Sequence, residues 1–277
     1  MLRDIHCYLL DMDGTIYLGN ELIDGAKEFL EVLRKEKIRA LFLTNNSSKN
    51  RMNYVEKLRK LGIEATAEDI FTSGEATAMY LQKRYPNGAT LFVLGTPPLM
   101  EELEHAGFVV KSKREEGLDD VDEVVLGFDT TLTYEKLWAA CDLIRAKGSY
   151  IATHPDFNCP LEGGAFMPDA GAMIAFIHAS TEVMPTVIGK PERTMVDAVL
   201  EKYGLQKSEL AMVGDRLYTD IAMGEKAGIT SILVFSGETT RADYEASTTR
   251  ATYTFPSVKE LKDQTLAERK GDKHVFY

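Results

Sequence analysis

Four places in the sequence join a short apolar run to side chains that can do chemistry. Residues 5–10 run into Asp11-Met12-Asp13-Gly14, and residues 38–43 run into Thr44-Asn45-Asn46. Residues 186–188 precede Gly189-Lys190-Pro191, and residues 210–213 precede Gly214-Asp215-Arg216, with Asp220 five residues past Asp215. Two carboxylates one residue apart repel unless a cation holds them, and an all-oxygen donor set suits a hard divalent ion, Mg²⁺ where the substrate carries phosphate. Taken singly, each piece also has a plain structural reading. Asp13-Gly14 is a common turn, Thr44 and Ser48 are ordinary helix caps, Gly189-Lys190-Pro191 is a loop, and Asp220 favours a helix N-terminus.

Taken together the pieces form an inventory for phosphoryl transfer, which needs a nucleophile, a proton donor and charge neutralisation. Asp11 is the candidate nucleophile, forming an aspartyl-phosphate, and Asp13 the acid for the leaving alkoxide and then the base for water. Asp13 must be protonated while Asp11 stays anionic, a separation that a cation bound to Asp11 favours. The Thr44 hydroxyl and neighbouring N–H groups are candidates for the transferring oxygens, with Lys190 screening Asp11 and the phosphoryl group. Asp215 completes the metal site, and Asp220 either holds metal-bound water or orients Lys190.

The elements that must position these groups follow from apolar periodicity. Residues 25–37 read as a helix after the first strand, 38–43 as a second strand, 68–72 and 73–85 as a short strand and a helix. In a parallel sheet all strand C-termini share one edge, so Asp11, Asp13 and Thr44 converge there. From Pro86 the rhythm changes: strands at 89–94, 121–126 and 150–152, helices at 98–105, 133–145 and 170–180, and a proline-punctuated loop over 153–160. The first pattern resumes with a strand at 186–188, a helix at 193–203, a strand at 210–213, a helix to Ala227 and a strand at 229–235. Residues 268–277 read as a charged, solvated tail. The division is therefore 1–85, an inserted α/β segment 86–184, and 185–277.

The 277 residues are enough for two domains, and a net charge of −11 argues against nucleic acid as a partner. A cation and a local positive pocket still allow an anionic substrate. Three cysteines without CxxC spacing, Cys7, Cys141 and Cys159, suggest neither disulfides nor zinc and fit a reducing cytoplasm. No stretch approaches membrane-spanning length and no signal-type segment opens the chain. Cys159 reads as inert, and His105 and His178 as helix surface or core residues.

The motifs resemble those of the haloacid dehalogenase (HAD) superfamily, within it the NagD-like, p-nitrophenylphosphatase-like phosphatases. Leu9-Leu10-Asp11-Met12-Asp13-Gly14-Thr15 resembles the first motif, Leu43-Thr44-Asn45-Asn46-Ser47 the second, Gly189-Lys190-Pro191 the third, and Gly214-Asp215-Arg216 with Asp220 the fourth. The resemblance covers nearly the whole chain. It implies a Rossmann-like core with a parallel sheet and an inserted α/β cap, for which the 146 residues between Thr44 and Lys190 leave room. It implies Mg²⁺ held by Asp11, the Asp13 backbone carbonyl and Asp215, with Thr44, Asn45 and Lys190 contacting phosphate. Substrates would be small phosphorylated metabolites: nucleoside monophosphates, sugar phosphates or p-nitrophenyl phosphate. The cap would exclude water and set selectivity, with His154, Asp156 and Asn158 in a loop facing the leaving group.

Three rivals use parts of the same inventory. A dehalogenase displaces halide, which departs without protonation, so Asp13 argues against it. A phospho-accepting signalling module needs no cap. A silent binding protein of the same fold would keep the residues without turnover. Homo-oligomerisation is left open by the sequence.

Overall fold

Every residue of the strand Cys7–Leu10 is buried, as a strand covered on both faces requires. The computed structural model, which describes residues 1–161 and 164–271, sets this strand inside a six-stranded sheet. In spatial order the strands are Tyr253–Phe255, Thr230–Val234, Leu210–Gly214, Cys7–Leu10, Arg39–Thr44 and Ile70–Thr72. Cys7–Leu10 pairs in parallel with both its neighbours, and parallel pairing continues outward to Tyr253–Phe255. Numbered along the chain the order is 3-2-1-4-5-6, so the winding direction reverses between Cys7–Leu10 and Leu210–Gly214. Crevices for ligands open at the C-terminal ends of strands at such a reversal.

By its contacts the chain divides into two compact units. The first comprises Met1–Thr44, Tyr54–Phe71 and Pro191–Tyr277, and the second Asn45–Asn53 and Thr72–Lys190. The core of the first unit is built on Tyr8, Leu10, Phe29, Leu33, Phe42, Val213, Ile232, Val258 and Leu261, all buried. The helix Ala26–Lys35 buries Ala26, Phe29 and Leu33, spaced for one helical face. Burial of this apolar surface is the main force holding the unit together.

The C-terminal region differs from the sequence reading. Residues 268–270 are not tail but the last turn of the helix Val258–Lys270, and residues 272–277 lie outside the described residues. Ser257 and Glu260 cap this helix reciprocally: the Ser257 N–H donates to Glu260 Oε2 at 3.0 Å, and Ser257 Oγ accepts from Lys259 N at 3.1 Å. The same helix reaches the first strand through Tyr8 Oη and Thr265 Oγ1, 3.2 Å apart, and Arg269 donates to the Ile5 carbonyl at 3.0 Å.

The second unit has a five-stranded parallel sheet in the order Thr186–Val187, Ile151–Ala152, Glu123–Leu126, Thr90–Leu94 and Val109–Lys111. The helices Tyr134–Lys147 and Ala170–Thr181 cover it, around Phe92, Leu126, Ile144, Tyr150 and Ile177. A buried ion pair, Lys136 Nζ to Asp129 Oδ2 at 2.6 Å, is completed by the Gly95 carbonyl at 3.2 Å, so neither charge is left unsolvated. The segment expected to be a loop over 153–160 contains the strand Asn158–Pro160, paired antiparallel with Phe166–Pro168. A two-stranded ribbon has an unpaired edge on each side, and so tolerates the prolines that argued against a strand. Thr186–Val187 pairs with Ile151–Ala152 and so belongs to this sheet. Among the described residues no helix is long and apolar enough to cross a membrane.

Candidate active site

In the first unit Asp11 follows the strand Cys7–Leu10 and donates its backbone N–H to the Val213 carbonyl at 2.9 Å, continuing the sheet by one residue. Beyond it the chain wraps the Met12 carbonyl, which accepts from the N–H groups of Ile16 at 2.9 Å and Tyr17 at 3.2 Å. The turn demands a left-handed residue, and Gly14 supplies it at φ 87°. Asp13 lies in this turn, bridged to Tyr17, and both aspartates are half-buried.

Leu210–Gly214, the strand across the winding reversal, delivers Asp215. Asp220 sits in a π-helical turn, Leu217–Ile221, ahead of the short helix Ala222–Ala227, not at a regular helix start. Such wide turns recur at functional sites because they aim a side chain that an α-turn would not. The Asp220 carboxylate accepts from the Arg216 N–H at 3.2 Å, which fixes its direction. Carboxylate oxygens of Asp11, Asp215 and Asp220 lie within 4.8 Å of one another. The Asp13 side chain is not in this group.

Desolvation raises the Asp215 pKa to about 7, with the charges of Asp11 and Asp220 adding to the shift. Its Oδ1 is buried with no hydrogen-bond partner among the described residues, while Oδ2 accepts from the Glu238 N–H at 2.6 Å. A buried carboxylate oxygen without a partner, facing two further carboxylates, fits a hard divalent cation supplied from outside the chain. Burial opposes the charge on Arg216, but Asp11, Tyr218, Asp215 and Glu238 together raise its pKa, so it remains cationic beside the cluster.

Sequence reading passed over residues 236–239, which close this cluster. Thr239 N–H donates to the Asp215 carbonyl at 3.2 Å, and Ser236 Oγ to the Gly14 carbonyl at 2.8 Å. A Cβ on Gly237 would lie 2.0 Å from Asp215 Oδ2, one on Gly14 2.4 Å from it, and one on Gly214 2.3 Å from Asp220 Oδ2. Three glycines therefore leave the space the carboxylates occupy. The sequence signal was only a Ser-Gly pair after a strand, which reads as any turn.

Thr44 ends the strand Arg39–Thr44 in the first unit and is buried. Asn45 and Lys190 are buried together in the second unit. The Asn45 carboxamide pairs with the backbone of Lys190 in both directions: Oδ1 accepts from the Lys190 N–H at 2.8 Å, and Nδ2 donates to the Lys190 carbonyl at 2.9 Å. Nδ2 also donates to the Asp156 carboxylate, at 3.2 and 3.3 Å.

Of the three loop residues expected to face a leaving group, His154 is fully buried, with Nδ1 2.8 Å from Thr153 Oγ1 and Nε2 2.9 Å from Asp169 Oδ1. It is a packed, hydrogen-bonded core residue. Asp156 is engaged with Asn45, and Asn158 is exposed. His105 and His178 are exposed on helices.

Strand order, the position of the carboxylates and their spacing define a Rossmann-like hydrolase site. A haloacid dehalogenase-like hydrolase model matches residues 8–109, and a second HAD-hydrolase-like model matches residues 187–261. The chain belongs to the haloacid dehalogenase-like hydrolase family. It is 40% identical over 259 residues to an acid sugar phosphatase of Staphylococcus aureus, covering 94% of this chain and 97% of the relative. The crystal structure of a 4-nitrophenylphosphatase from Thermotoga maritima superposes with a TM-score of 0.88 at 46% identity, covering 95% of this chain and 98% of that one. A glycerol phosphate phosphatase from Mycobacterium tuberculosis, solved in complex with magnesium, gives a TM-score of 0.85 at 31% identity, over 93% of this chain and 77% of that one. Within the family its place is the NagD-like, p-nitrophenylphosphatase-like branch.

Proposed function

We propose that the protein is a Mg²⁺-dependent phosphoric monoester hydrolase acting on small phosphorylated metabolites. The single observation that carries the reading is the convergence of Asp11, Asp215 and Asp220 at the winding reversal of the sheet, with one carboxylate oxygen of Asp215 buried and without a hydrogen-bond partner among the described residues. The cation would be held by Asp11, Asp215 and the Asp13 backbone carbonyl, and when bound it neutralises the carboxylates and the phosphoryl oxygens. Mg²⁺ is favoured over softer ions by the oxygen-only donor set and by the magnesium complex of the mycobacterial relative.

Asp11 attacks phosphorus in line, so that one of its carboxylate oxygens forms a bond to phosphorus as the ester oxygen leaves. Asp13 donates its proton to that departing oxygen, and then takes a proton from the water that attacks the aspartyl-phosphate, releasing phosphate and the Asp11 carboxylate. The Thr44 hydroxyl, the backbone N–H of Asn45 and the Lys190 ammonium bind the transferring oxygens. The expected cap, 86–184, falls within the second unit, which extends to Asn45–Asn53 and Thr72–Lys190, and would supply the selectivity among esters. The need for an acid at Asp13 favours an alkoxide leaving group over halide. The three cysteines, none of them in a disulfide among the described residues, suit a reducing cytoplasm.

Phosphate release from p-nitrophenyl phosphate, a sugar phosphate and a nucleoside monophosphate, each with Mg²⁺ and with chelator, tests the reading. Metal-dependent release is expected, and absence of release from all three would contradict it. Gly237→Ala is expected to weaken Mg²⁺ binding by about tenfold or more while the chain stays folded, because the new methyl displaces the Asp215 carboxylate. Calorimetric titration of the chelated protein checks this, and unchanged affinity would remove Gly237 from the account.

A further inference from the structure

Asn45 and Lys190 are 145 positions apart, yet one side chain satisfies both backbone groups of the other residue. A carboxamide can do this in only one of its two orientations, since exchanging oxygen and nitrogen would oppose donor to donor and acceptor to acceptor. The Asp156 carboxylate reinforces the orientation that the Lys190 backbone requires. An ionised carboxylate only accepts, so it fixes the amide nitrogen on its own side at 3.2–3.3 Å and leaves Oδ1 for the Lys190 N–H.

Asp156 is itself held firmly. Its carbonyl accepts from the Gly171 N–H at 2.7 Å, in the first turn of the helix Ala170–Thr181, and a Cβ on Gly171 would lie 2.3 Å from the Pro155 carbonyl. On the other side of the amide, a Cβ on Gly189 would lie 2.6 Å from Asn45 Oδ1 and 2.6 Å from the Thr153 carbonyl. Two glycines therefore let the loop and the Lys190 backbone close on the Asn45 side chain, and one N–H of Nδ2 goes to Asp156 and the other to Lys190.

From this geometry we infer that Asp156 is a positioning residue for Lys190, acting through Asn45, and not a contact for the leaving group. The inference rests on the phosphatase reading only in giving Lys190 its role at the phosphoryl group. A displaced Lys190 backbone carries its ammonium with it, and misplacement by about 1 Å costs catalysis about 100-fold. Because Lys190 serves the part of the substrate common to all esters, the loss is the same whatever the leaving group.

The test compares wild type, Asp156→Ala, Asp156→Asn and Asn45→Asp in kcat and KM for p-nitrophenyl phosphate and for a sugar phosphate. Hydrogen exchange at the Lys190 amide is measured in parallel. Asp156→Ala is expected to lower kcat about 10- to 100-fold by the same factor on both esters, and to speed exchange of the Lys190 N–H. Asp156→Asn, whose carbonyl oxygen still accepts from Nδ2, is expected to recover most of the loss. Asn45→Asp, which sets carboxylate against both Asp156 and the Lys190 carbonyl, is expected to lose at least as much as Asp156→Ala. A loss confined to one ester, or Lys190 exchange unchanged in both Asp156→Ala and Asn45→Asp, would overturn the inference. If wild type releases no phosphate, the phosphatase reading fails on its own, and exchange at Lys190 still decides whether Asp156 orients the clamp.

Discussion

Asp11→Asn is expected to lower kcat for every phosphomonoester by about 10⁴-fold or more, with the melting temperature at or above that of wild type. The size follows from the role: an amide oxygen is a far weaker nucleophile toward phosphorus than a carboxylate, and no other side chain substitutes for an attacking group fixed by the end of a buried strand. The retained fold follows from the structure. Asp11 is held by its backbone N–H to the Val213 carbonyl, which asparagine keeps, and its carboxylate adds to the repulsion on Asp215, which asparagine removes. Circular dichroism, a melting curve and a phosphate-release assay on the same preparation decide the matter. A folded, active Asp11→Asn enzyme would end the nucleophile assignment.

Asp215→Asn is expected to raise stability in the chelated protein while abolishing function. In the metal-free chain the Asp215 pKa is raised from 3.8 to about 7, by burial first and then by Asp11 and Asp220. Between those pH values the native state holds a proton that the unfolded state has lost, so this group's contribution is fully present below pH about 4 and disappears as pH rises through about 7. Chelated wild type should therefore melt lower at pH 8 than at pH 5 by an amount that Asp215→Asn largely removes. At pH 8 the variant should melt about 2–6 °C higher than chelated wild type, corresponding to about 1–2 kcal/mol. Adding Mg²⁺ should raise the melting temperature of wild type and leave the variant where it was, because a ligand stabilises only the state that binds it. Phosphate release by the variant should fall to background. A variant that melts lower than chelated wild type at pH 8 would show that the carboxylates do not repel as the geometry requires.

Two members of the carboxylate cluster, Asp11 and Asp215, were legible in the sequence because each follows a short run of buried residues, and a parallel sheet puts such ends on one edge. Residues 7–10 and 210–213 carry no polar side chain apart from the Cys7 thiol and the Tyr8 hydroxyl, so the strands announce themselves. The C-terminal helix was not visible in the same way. Its buried face includes Gln264, Thr265 and Glu268, whose polarity masks the periodicity, and only the Ser257/Glu260 cap marked its start. The Gly237 turn could not be found from sequence, since its importance lies in a distance to Asp215, 22 positions earlier in the chain. His154 and Asp156 illustrate the remaining limit. Both stand in one polar segment, and residue type alone does not separate a histidine satisfied by Asp169 from an aspartate that orients Asn45.

The most direct test of the central claim is to trap the intermediate on Asp11. Wild type mixed with p-nitrophenyl phosphate and Mg²⁺ is quenched in acid during turnover, reduced with borohydride, digested and read by mass spectrometry. An aspartyl-phosphate is reduced to homoserine, whereas a free carboxylate is not. The account predicts homoserine at position 11, dependent on both ester and Mg²⁺, and no conversion at Asp13, Asp215 or Asp220. Rapid phosphate release with Asp11 unconverted at every quench time, or conversion at another aspartate, would contradict it.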